Sequence, residues 1–331
     1  MSLQFITGGS GAGKSGYLSR LVCEESVRRP HDNFIVVVPE QYTMETQKKL
    51  VHMHSRKGIL NIDVVSFERL AYKVFEELGG GNRPVLDDTG KNLIVRRVLE
   101  KEKKKLDYFG SSIEKTGFVS ELKSVISELL QYGITPQQLG EIGENVKEKQ
   151  QLSAKLKDIR LVYKEFMAFL STNYITSEEI LDVLCGLVEK SKLIAGSEII
   201  FDGFTGFTPI QYKLMRLLLV YSKSIKISVT IDKKERPTGH EGWNNLFFMS
   251  KEMMNRLIAI CEEEGINVDD TVCVDRDINY RYEGAKDLAY LERNLFRYKG
   301  GVYTGTPENI RIYEGSNPKE ELQYIVSEIY S

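Results

Sequence analysis

The sequence predicts an α/β protein with a parallel central sheet and an inserted all-helical subdomain. Strand-like and helical segments alternate over roughly the first 80 residues, which is typical of parallel strands joined by crossover helices. Helical periodicity then dominates for roughly 100 residues, and strand-like segments disappear. Alternation returns near residue 198, which indicates that the chain goes back to the same sheet.

The N-terminal elements follow one another closely. Strands are predicted at residues 3–7, 34–38 and 62–65, and helices at 14–28, 44–54 and 67–78. The second of these strands is continuously apolar, which indicates a strand buried on both faces. Three glycines at 79–81 end the third helix.

The later elements are mostly helical before strands return. Thr135 with Gln138, and Thr176 with Glu179, have the pattern that begins a capped helix. Helices are predicted at 92–104, 116–132, 152–170, 178–190, 208–221, 246–264, 285–297 and from 317 onward. The remaining strands are predicted at 198–201, 225–231 and 309–313.

These segments predict a domain organisation. Residues 1–84 and 193–270 form the domain that contains the sheet, and residues 85–192 form the helical insertion. Residues 271–331 are predicted to begin a second α/β domain. The sequence stops within a predicted helix that has no stop signal, so we expect it to be a fragment of a longer protein.

Composition excludes several classes of protein. The 331 residues are 41% hydrophobic and include 8 prolines, which excludes wholesale disorder and a collagen-like chain. A net charge of −2 means that any nucleic-acid site must be a local patch. The four cysteines include no Cys-x-x-Cys pair, so we expect reduced, buried thiols. Because no apolar segment is long enough to cross a bilayer, we expect a soluble, cytoplasmic protein without membrane partners.

One motif has the pattern of a phosphate-binding loop. Residues 8–15 match G-x-x-x-x-G-K-[ST] between a predicted strand and a predicted helix. Glycine lets backbone N–H groups close around a phosphate, and the helix N-terminus adds partial positive charge. Lys14 is expected to reach the β- and γ-phosphates of ATP, and Ser15 to hold Mg²⁺. The predicted nucleotide-binding residues are Gly8, Gly9, Ser10, Gly11, Ala12, Gly13, Lys14 and Ser15.

A second motif supplies a carboxylate. The apolar strand predicted at 198–201 is followed directly by Asp202. This pattern places Asp202 at the carboxyl edge of the sheet beside the phosphate loop, where it is expected to hold Mg²⁺ with Ser15. The alternative is that Asp202 only ends the strand.

Three segments resemble superfamily 1 DNA helicases of the UvrD/RecB kind. The helicase sequence D-E-F-Q-D-T-N-x-x-Q-Y corresponds here to D-G-F-T-G-F-T-P-I-Q-Y at 202–212. V-P-E-Q-Y-T at 38–43 and V-S-F-E-R-L-A at 65–71 resemble segments by which those helicases contact a single strand. Together they resemble the N-terminal part of AddB, the B-subunit family of the bacterial AddAB helicase–nucleases. The resemblance implies a RecA-like P-loop NTPase fold.

The departures from the helicase pattern determine the expected chemistry. Gly203 stands where active helicases have the glutamate that orients the attacking water. No G-D-x-x-Q pattern follows residue 231, and no glutamine segment precedes the first strand. We therefore expect this chain to bind ATP with Mg²⁺ but to hydrolyse it very slowly.

The resemblance also implies partners and cofactors. An AddA subunit would supply the motor activity in a heterodimer, and single-stranded and duplex DNA would be bound. An iron–sulfur cluster and the Mg²⁺ of a nuclease domain are expected only in a longer chain, so the cysteines here are not assigned to that cluster. The family processes double-strand breaks for recombination and recognises a Chi sequence in the single strand.

Single-stranded DNA is expected to cross the carboxyl edge of the sheet. The predicted contact residues follow strands and are Gln41, Thr43, Phe67, Arg69 and Phe207. The phenylalanines offer faces for base stacking, and the arginine offers hydrogen bonds to guanine or to a phosphate. The alternative is that both phenylalanines belong to the core and that Arg69 pairs with a carboxylate.

Weaker features leave alternatives open. The lysines at 101–105 indicate a solvated helix face or a duplex-contacting patch, Trp243 is expected to pack, and the four histidines lack the spacing of a metal site. A small-molecule phosphotransferase would also use the loop and Asp202, but it would place arginines beside the phosphates, and none is recognisable. A scaffold with a vestigial loop is the third alternative.

Overall fold

The first elements of the chain alternate in the predicted order. The computed structural model describes residues 1–79, 84–146, 148–232, 234–235, 242–274, 279–295 and 301–330. It begins with β1 (Ser2–Gly8), α1 (Lys14–Arg28), β2 (Asn33–Val37), α2 (Thr43–Met53), β3 (Ile62–Val65) and α3 (Phe67–Leu78). Ser66 caps α3, because its side chain accepts a hydrogen bond from the backbone N–H of Arg69.

The middle of the chain is helical, as predicted. Its elements are β4 (Val85–Leu86), α4 (Asp88–Glu102), α5 (Phe118–Gln131), α6 (Pro136–Asn145), α7 (Gln150–Asn173), β5 (Ile175–Thr176), α8 (Ser177–Cys185) and α9 (Lys192–Ala195). Capping boxes join Thr135 to Gln138 and Thr176 to Glu179, which confirms both predicted helix starts. The two short strands were not predicted, and they pair with each other in a separate parallel sheet.

Strands return in the last part of the chain. Its elements are β6 (Ser197–Phe201), α10 (Pro209–Tyr221), β7 (Ser224–Thr230), α11 (Phe248–Glu264), β8 (Asn267–Val268), β9 (Val272–Cys273), α12 (Lys286–Asn294) and α13 (Pro318–Tyr330). The strand predicted at 309–313 is wrong. No neighbouring strand in the described part of the chain pairs with that segment, and Ile312 is 95% exposed.

The main sheet confirms the α/β class and the parallel arrangement. Its strand order is β3-β2-β6-β7-β1-β8, with β9 also paired to β1, and every pairing is parallel. The carboxyl ends of β1, β2, β3, β6 and β7 therefore lie at one edge. Because β9 belongs to this sheet, the sheet extends beyond residue 270, where we predicted a second domain to begin.

Both faces of the main sheet are buried, as the apolar strands predict. Alternate residues of β2 and β6 enter different clusters, which is the two-residue period of a β-strand. In β2, for example, Ile35 and Val37 pack on one face and Phe34 and Val36 on the other. A third cluster fills the space between α4, α5 and α7 and contains the fully buried Phe166.

A buried carboxylate fixes the turn after α4. Asp158 of α7 is completely buried and accepts backbone hydrogen bonds from Asp107, Tyr108 and Phe109 at 3.1, 2.8 and 2.9 Å. The carboxylate thus supplies the acceptor for three successive N–H groups, of which that of the buried Phe109 would otherwise be left unpaired.

We predict that Asp158→Ala destabilises the chain by roughly 2–4 kcal/mol, because an unpaired buried donor costs about 1–3 kcal/mol. Urea denaturation followed by circular dichroism measures this change. Lys157→Ala is the matched control: its exposed ion pair with Asp107, 2.7 Å long, contributes only about 0–1 kcal/mol. Equal stability of the two variants would contradict this role of Asp158.

Candidate functional site

The loop at residues 8–15 joins β1 to α1 with the backbone that a phosphate-binding loop requires. Gly11 and Gly13 have φ angles of 76° and 101°, in the left-handed region that favours glycine. Gly13 also caps α1, so the N–H groups of the first turn of that helix lie next to the loop. A Cβ atom at Gly8 would collide with the carbonyl group of Val274, which follows β9.

Lys14 is held inside its own loop. The side chain is 9% exposed, and Nζ donates to the carbonyl oxygens of Gly8 and Gly9, both at 2.9 Å. Burial lowers the pKa of Lys14 below its usual range, Asp202 opposes that shift, and Arg281 adds to it. The ammonium group is therefore a poorly hydrated cation, and a nearby anion would stabilise its charged form.

Asp202 follows β6 at the same edge and is held by the neighbouring strands. Its backbone N–H donates to the carbonyl of Val37 in β2 at 3.0 Å. The Ser228 hydroxyl, in β7, donates to Asp202 Oδ1 at 2.6 Å. Gly203, the next residue, has a φ angle of 84°, and its N–H donates to Ser228 Oγ at 3.3 Å. The chain therefore turns away from the sheet directly after the carboxylate.

A cavity of about 580 Å³ brings these predicted residues together. Lys14, Ser15 and Asp202 all line it, and Arg20 and Lys49 add two further cations. The cavity has the size of a small-molecule site. The hydroxyl of Ser15 and the carboxylate of Asp202 are the oxygen donors that Mg²⁺ prefers, so the residues present fit a magnesium–nucleotide complex.

A segment far away in sequence covers the loop. Arg281 Nη1 donates to Ser10 Oγ at 3.0 Å, and Asn279 Nδ2 donates to the Ser10 carbonyl at 2.9 Å. Tyr280 and Arg281 also line the cavity. The sequence analysis recognised no arginine near the expected phosphate site, and the structure corrects this by placing Arg281 beside the loop. No spacing rule links residues about 270 positions apart, so sequence reasoning had no signal for the contact.

The predicted DNA contacts are not equally accessible. Gln41 is exposed, whereas Thr43 is 5% exposed and its hydroxyl donates to the Glu40 carbonyl. Phe67 is 7% exposed and packs against Phe201, Phe204 and Phe207. The buried Phe67 thus matches the alternative in which this ring belongs to the core, and the burial of Thr43 leaves little of its side chain for contact with DNA.

Arg69 and Phe207 remain at the surface. The Arg69 side chain is 57% exposed, and its Nε and Nη2 atoms both lie 3.0 Å from Glu40 Oε1, so it pairs with a carboxylate, as the alternative predicts. Phe207 is half-buried and contacts Tyr212 as well as the other phenylalanines. DNA contact by these two residues, and by Gln41, stays a prediction.

The weaker features have mixed outcomes. Lys101, Lys103 and Lys105 each pair with a glutamate, which favours a solvated helix face. Trp243, which was expected to pack, is 85% exposed. Three cysteines are buried as expected, but Cys273, in the short strand β9, is exposed.

The histidines form no metal site in the part of the chain that the structure describes. Within those residues, no three His, Cys, Asp or Glu side chains come together to hold a metal ion. His54 is buried and contacts Ser26 Oγ through Nε2 at 3.2 Å. His240 lies outside the described residues.

The length and hydrophobicity of the helices determine whether any of them could span a membrane. Within the described ranges, none combines the length and the hydrophobicity needed to cross a bilayer.

Comparison with known proteins identifies relatives over nearly the whole chain. The family model described as ADDB, N-terminal, matches residues 5–292. The ATP-dependent helicase/deoxyribonuclease B-subunit of Lachnoclostridium phytofermentans is 43% identical over 99% of this chain and 29% of its own length. The proteins of that name from Caldanaerobacter subterraneus subsp. tengcongensis and Clostridioides difficile are 35% and 34% identical, each over 99% of this chain and 28% of their own length. The chain thus spans less than a third of the curated relatives it matches.

We predict that binding of ATP to this site is accompanied by proton uptake in alkaline solution, at pH values below the ordinary lysine pKa. The pKa of Lys14 is lowered in the free chain, and the phosphate anions of the ligand raise it again. Titration calorimetry in buffers of different ionisation enthalpy measures the proton uptake. Lys49→Ala, which removes an exposed lysine from the same cavity, is the control that keeps the uptake. Absence of uptake by the unchanged chain, with ATP bound, would contradict the role of Lys14.

Proposed function

The chain belongs to the ADDB N-terminal family, and we propose that it is the nucleotide- and single-strand-binding part of a DNA helicase–nuclease subunit. In this proposal its fold is a P-loop NTPase fold of the RecA-like, helicase type. The observation that carries the proposal is the cavity in which Lys14, Ser15 and Asp202 meet at the carboxyl edge of the sheet.

The residues around this cavity have complementary roles in the proposed nucleotide site. The N–H groups of the loop and of the first turn of α1 surround the phosphates, and Lys14 supplies the central positive charge. Ser15 and Asp202 hold Mg²⁺, which bridges and partly neutralises the phosphate oxygens. Tyr280 is 52% exposed and presents its ring to the cavity, where a base can stack.

Among the described residues that line this cavity, the only carboxylate is Asp202, which is assigned to Mg²⁺, so none is left to activate water. Gly203 stands in place of the glutamate of active helicases, and its φ of 84° is a conformation that other residues adopt only with strain. A glutamate cannot therefore be restored without strain in the turn that follows Asp202. We propose a site that binds ATP and turns it over very slowly.

The proposed DNA surface lies along the neighbouring strand ends. Gln41 and Arg69 are exposed there, and Phe207 is partly exposed. Tyr42 adds a ring that is 48% exposed beside Gln41. Such aromatic and cationic side chains at one edge suit the stacked bases and phosphates of a single strand.

The wider function is proposed from the name that the relatives share, which describes the B-subunit of a helicase/deoxyribonuclease. In this proposal an AddA partner supplies the motor, and segments absent from this sequence supply the nuclease and the iron–sulfur cluster. The complex processes double-strand breaks for recombination, and the strand held here includes Chi.

A small-molecule phosphotransferase is the second candidate, because Arg281 beside the loop removes one argument against it. The two candidates differ in turnover, since a phosphotransferase needs a phosphoryl-transfer rate in the range of typical enzymes, on the order of 1–1,000 s⁻¹.

We predict that the chain binds Mg²⁺–ATP with turnover below roughly 1 s⁻¹, and that Lys14→Ala weakens binding by about 1.5–3 kcal/mol, the value of a hydrogen bond to a charged group. Calorimetry measures the affinity, and a phosphate-release assay measures the turnover. Gly203→Glu is expected to lower the melting temperature and not to restore hydrolysis, because the turn stays strained.

Two results would count against the proposed nucleotide function. Rapid phosphate release by the unchanged chain, in the presence or absence of a small acceptor, would show that the site is catalytic. Equal affinity of the unchanged chain and Lys14→Ala would show that the loop does not hold phosphate.

A separate prediction concerns Arg69 and its partner Glu40. Arg69→Ala is expected to weaken binding of a labelled single-stranded oligonucleotide and to reduce its salt slope by about 0.7, the contribution of one phosphate contact. Glu40→Gln is expected to strengthen binding, because it frees the guanidinium from a competing carboxylate. Fluorescence anisotropy at several salt concentrations measures both changes.

Phe207 needs a conservative variant, since it packs within an aromatic cluster. Phe207→Leu keeps apolar volume and removes the ring face, so it should weaken binding with little loss of stability.

Lys73→Ala is the charge-matched control for Arg69, since Lys73 lies on the same helix and pairs with Asp63 instead. Unchanged binding by both Arg69→Ala and Phe207→Leu would place the strand elsewhere.

A further inference from the structure

Ser228 occupies an unusual place in the nucleotide site. It lies in β7, opposite Ile6 of β1, and is 4% exposed although it lines the cavity. Its hydroxyl donates to Asp202 Oδ1 at 2.6 Å and accepts the N–H of Gly203 at 3.3 Å. One buried hydroxyl thus contacts both the carboxylate and the turn that follows it.

We propose that Ser228 is the positioning residue for the magnesium-binding carboxylate, Asp202, in a site that has lost its neighbouring glutamate. The proposal rests on the nucleotide-binding function proposed above. It assigns to β7 a role that the loop and β6 do not fill, since no hydrogen bond between described residues joins Ser15 to Asp202.

The hydrogen-bond geometry supports this role. A carboxylate side chain can rotate, and only one of its orientations presents a given oxygen to the cavity. Ser228 engages Oδ1, and among the hydrogen bonds of the described residues none engages Oδ2. The short bond from a hydroxyl to a charged carboxylate therefore fixes the rotation and leaves Oδ2 for the cavity.

The charges around the cavity make the orientation of the Asp202 carboxylate important for binding Mg²⁺. Asp202 is the only carboxylate among the described residues that line this cavity, which otherwise contains Lys14, Arg20, Lys49 and Arg281. Mg²⁺ demands strict geometry and takes few protein ligands, so a single misdirected carboxylate weakens its site. Ser228 is therefore expected to affect the dependence of nucleotide binding on Mg²⁺ and to have little effect on the contacts that the loop itself makes.

The test measures binding of a fluorescent, non-hydrolysable ATP analogue with Mg²⁺ and again with EDTA. For the unchanged chain, Mg²⁺ should tighten binding. Ser228→Ala and the similarly sized Ser228→Cys should each lose roughly tenfold of that tightening, as expected for the loss of a charge-assisted hydrogen bond. Their affinity in EDTA should stay within about twofold, which also shows that the loop is still folded.

Thr230→Val is the matched control, because Thr230 lies two residues away in β7 and lines the same cavity. It should keep the full effect of Mg²⁺. If the unchanged chain shows no tightening, or if both Ser228 variants keep it, the positioning role is overturned while nucleotide binding stands. If the unchanged chain does not bind the analogue at all, the proposed nucleotide function itself fails, which is a different outcome.

Discussion

The parallel pairing of β1 with β7 and β9 is the constraint on which the site depends. Hydrogen bonds from Ile231 to the Gly8 carbonyl, and from Val274 to the Thr7 carbonyl, continue the two ladders to the end of β1. They fix the direction in which the chain leaves the sheet, and α1 begins only six residues after Gly8. A loop this short can curl around a phosphate only if both of its ends are held. The parallel pairing of β6 with β7 then brings Ser228 beside the carboxylate that follows β6.

The glycines of the loop also allow another part of the chain to pack against it. A Cβ atom at Gly11 would lie 2.5 Å from Cβ of Arg281, and one at Gly13 would lie 3.0 Å from the ring of Tyr280. The segment that covers the loop can thus approach closely only because the loop lacks side chains at these positions. A Gly-rich pattern that predicts phosphate binding therefore also permits packing by a distant part of the chain, and the sequence pattern alone does not separate the two uses.

Sequence reasoning succeeded where one physical signal decides the structure. The apolar run at 34–38, the capping residues and the glycine loop each depend on local chemistry, and the structure places Lys14, Ser15 and Asp202 around one cavity as expected. Sequence reasoning failed where the structure of a segment depends on contacts with residues that are distant in sequence. The two-residue strand β9 exists only because β1 offers a free edge, and Arg281 reaches the loop only through the tertiary fold. Phe67 and Thr43 were expected to contact DNA because they follow strands, but Phe67 packs among aromatic rings, and Thr43 is buried with its hydroxyl bonded to the Glu40 carbonyl.

In the proposed function, Gly203 connects slow hydrolysis to the orientation of Asp202. Its left-handed backbone turns the N–H group toward Ser228 Oγ, and the same hydroxyl donates to the carboxylate of Asp202. A side chain at position 203 strains that turn, so a glutamate there and the present contact with Ser228 compete for one backbone conformation. In the proposed function, a site that keeps the carboxylate well oriented and gives up the water-activating group retains the nucleotide instead of consuming it. Such a site is suited to stabilising one state of the chain while a partner protein does the chemical work.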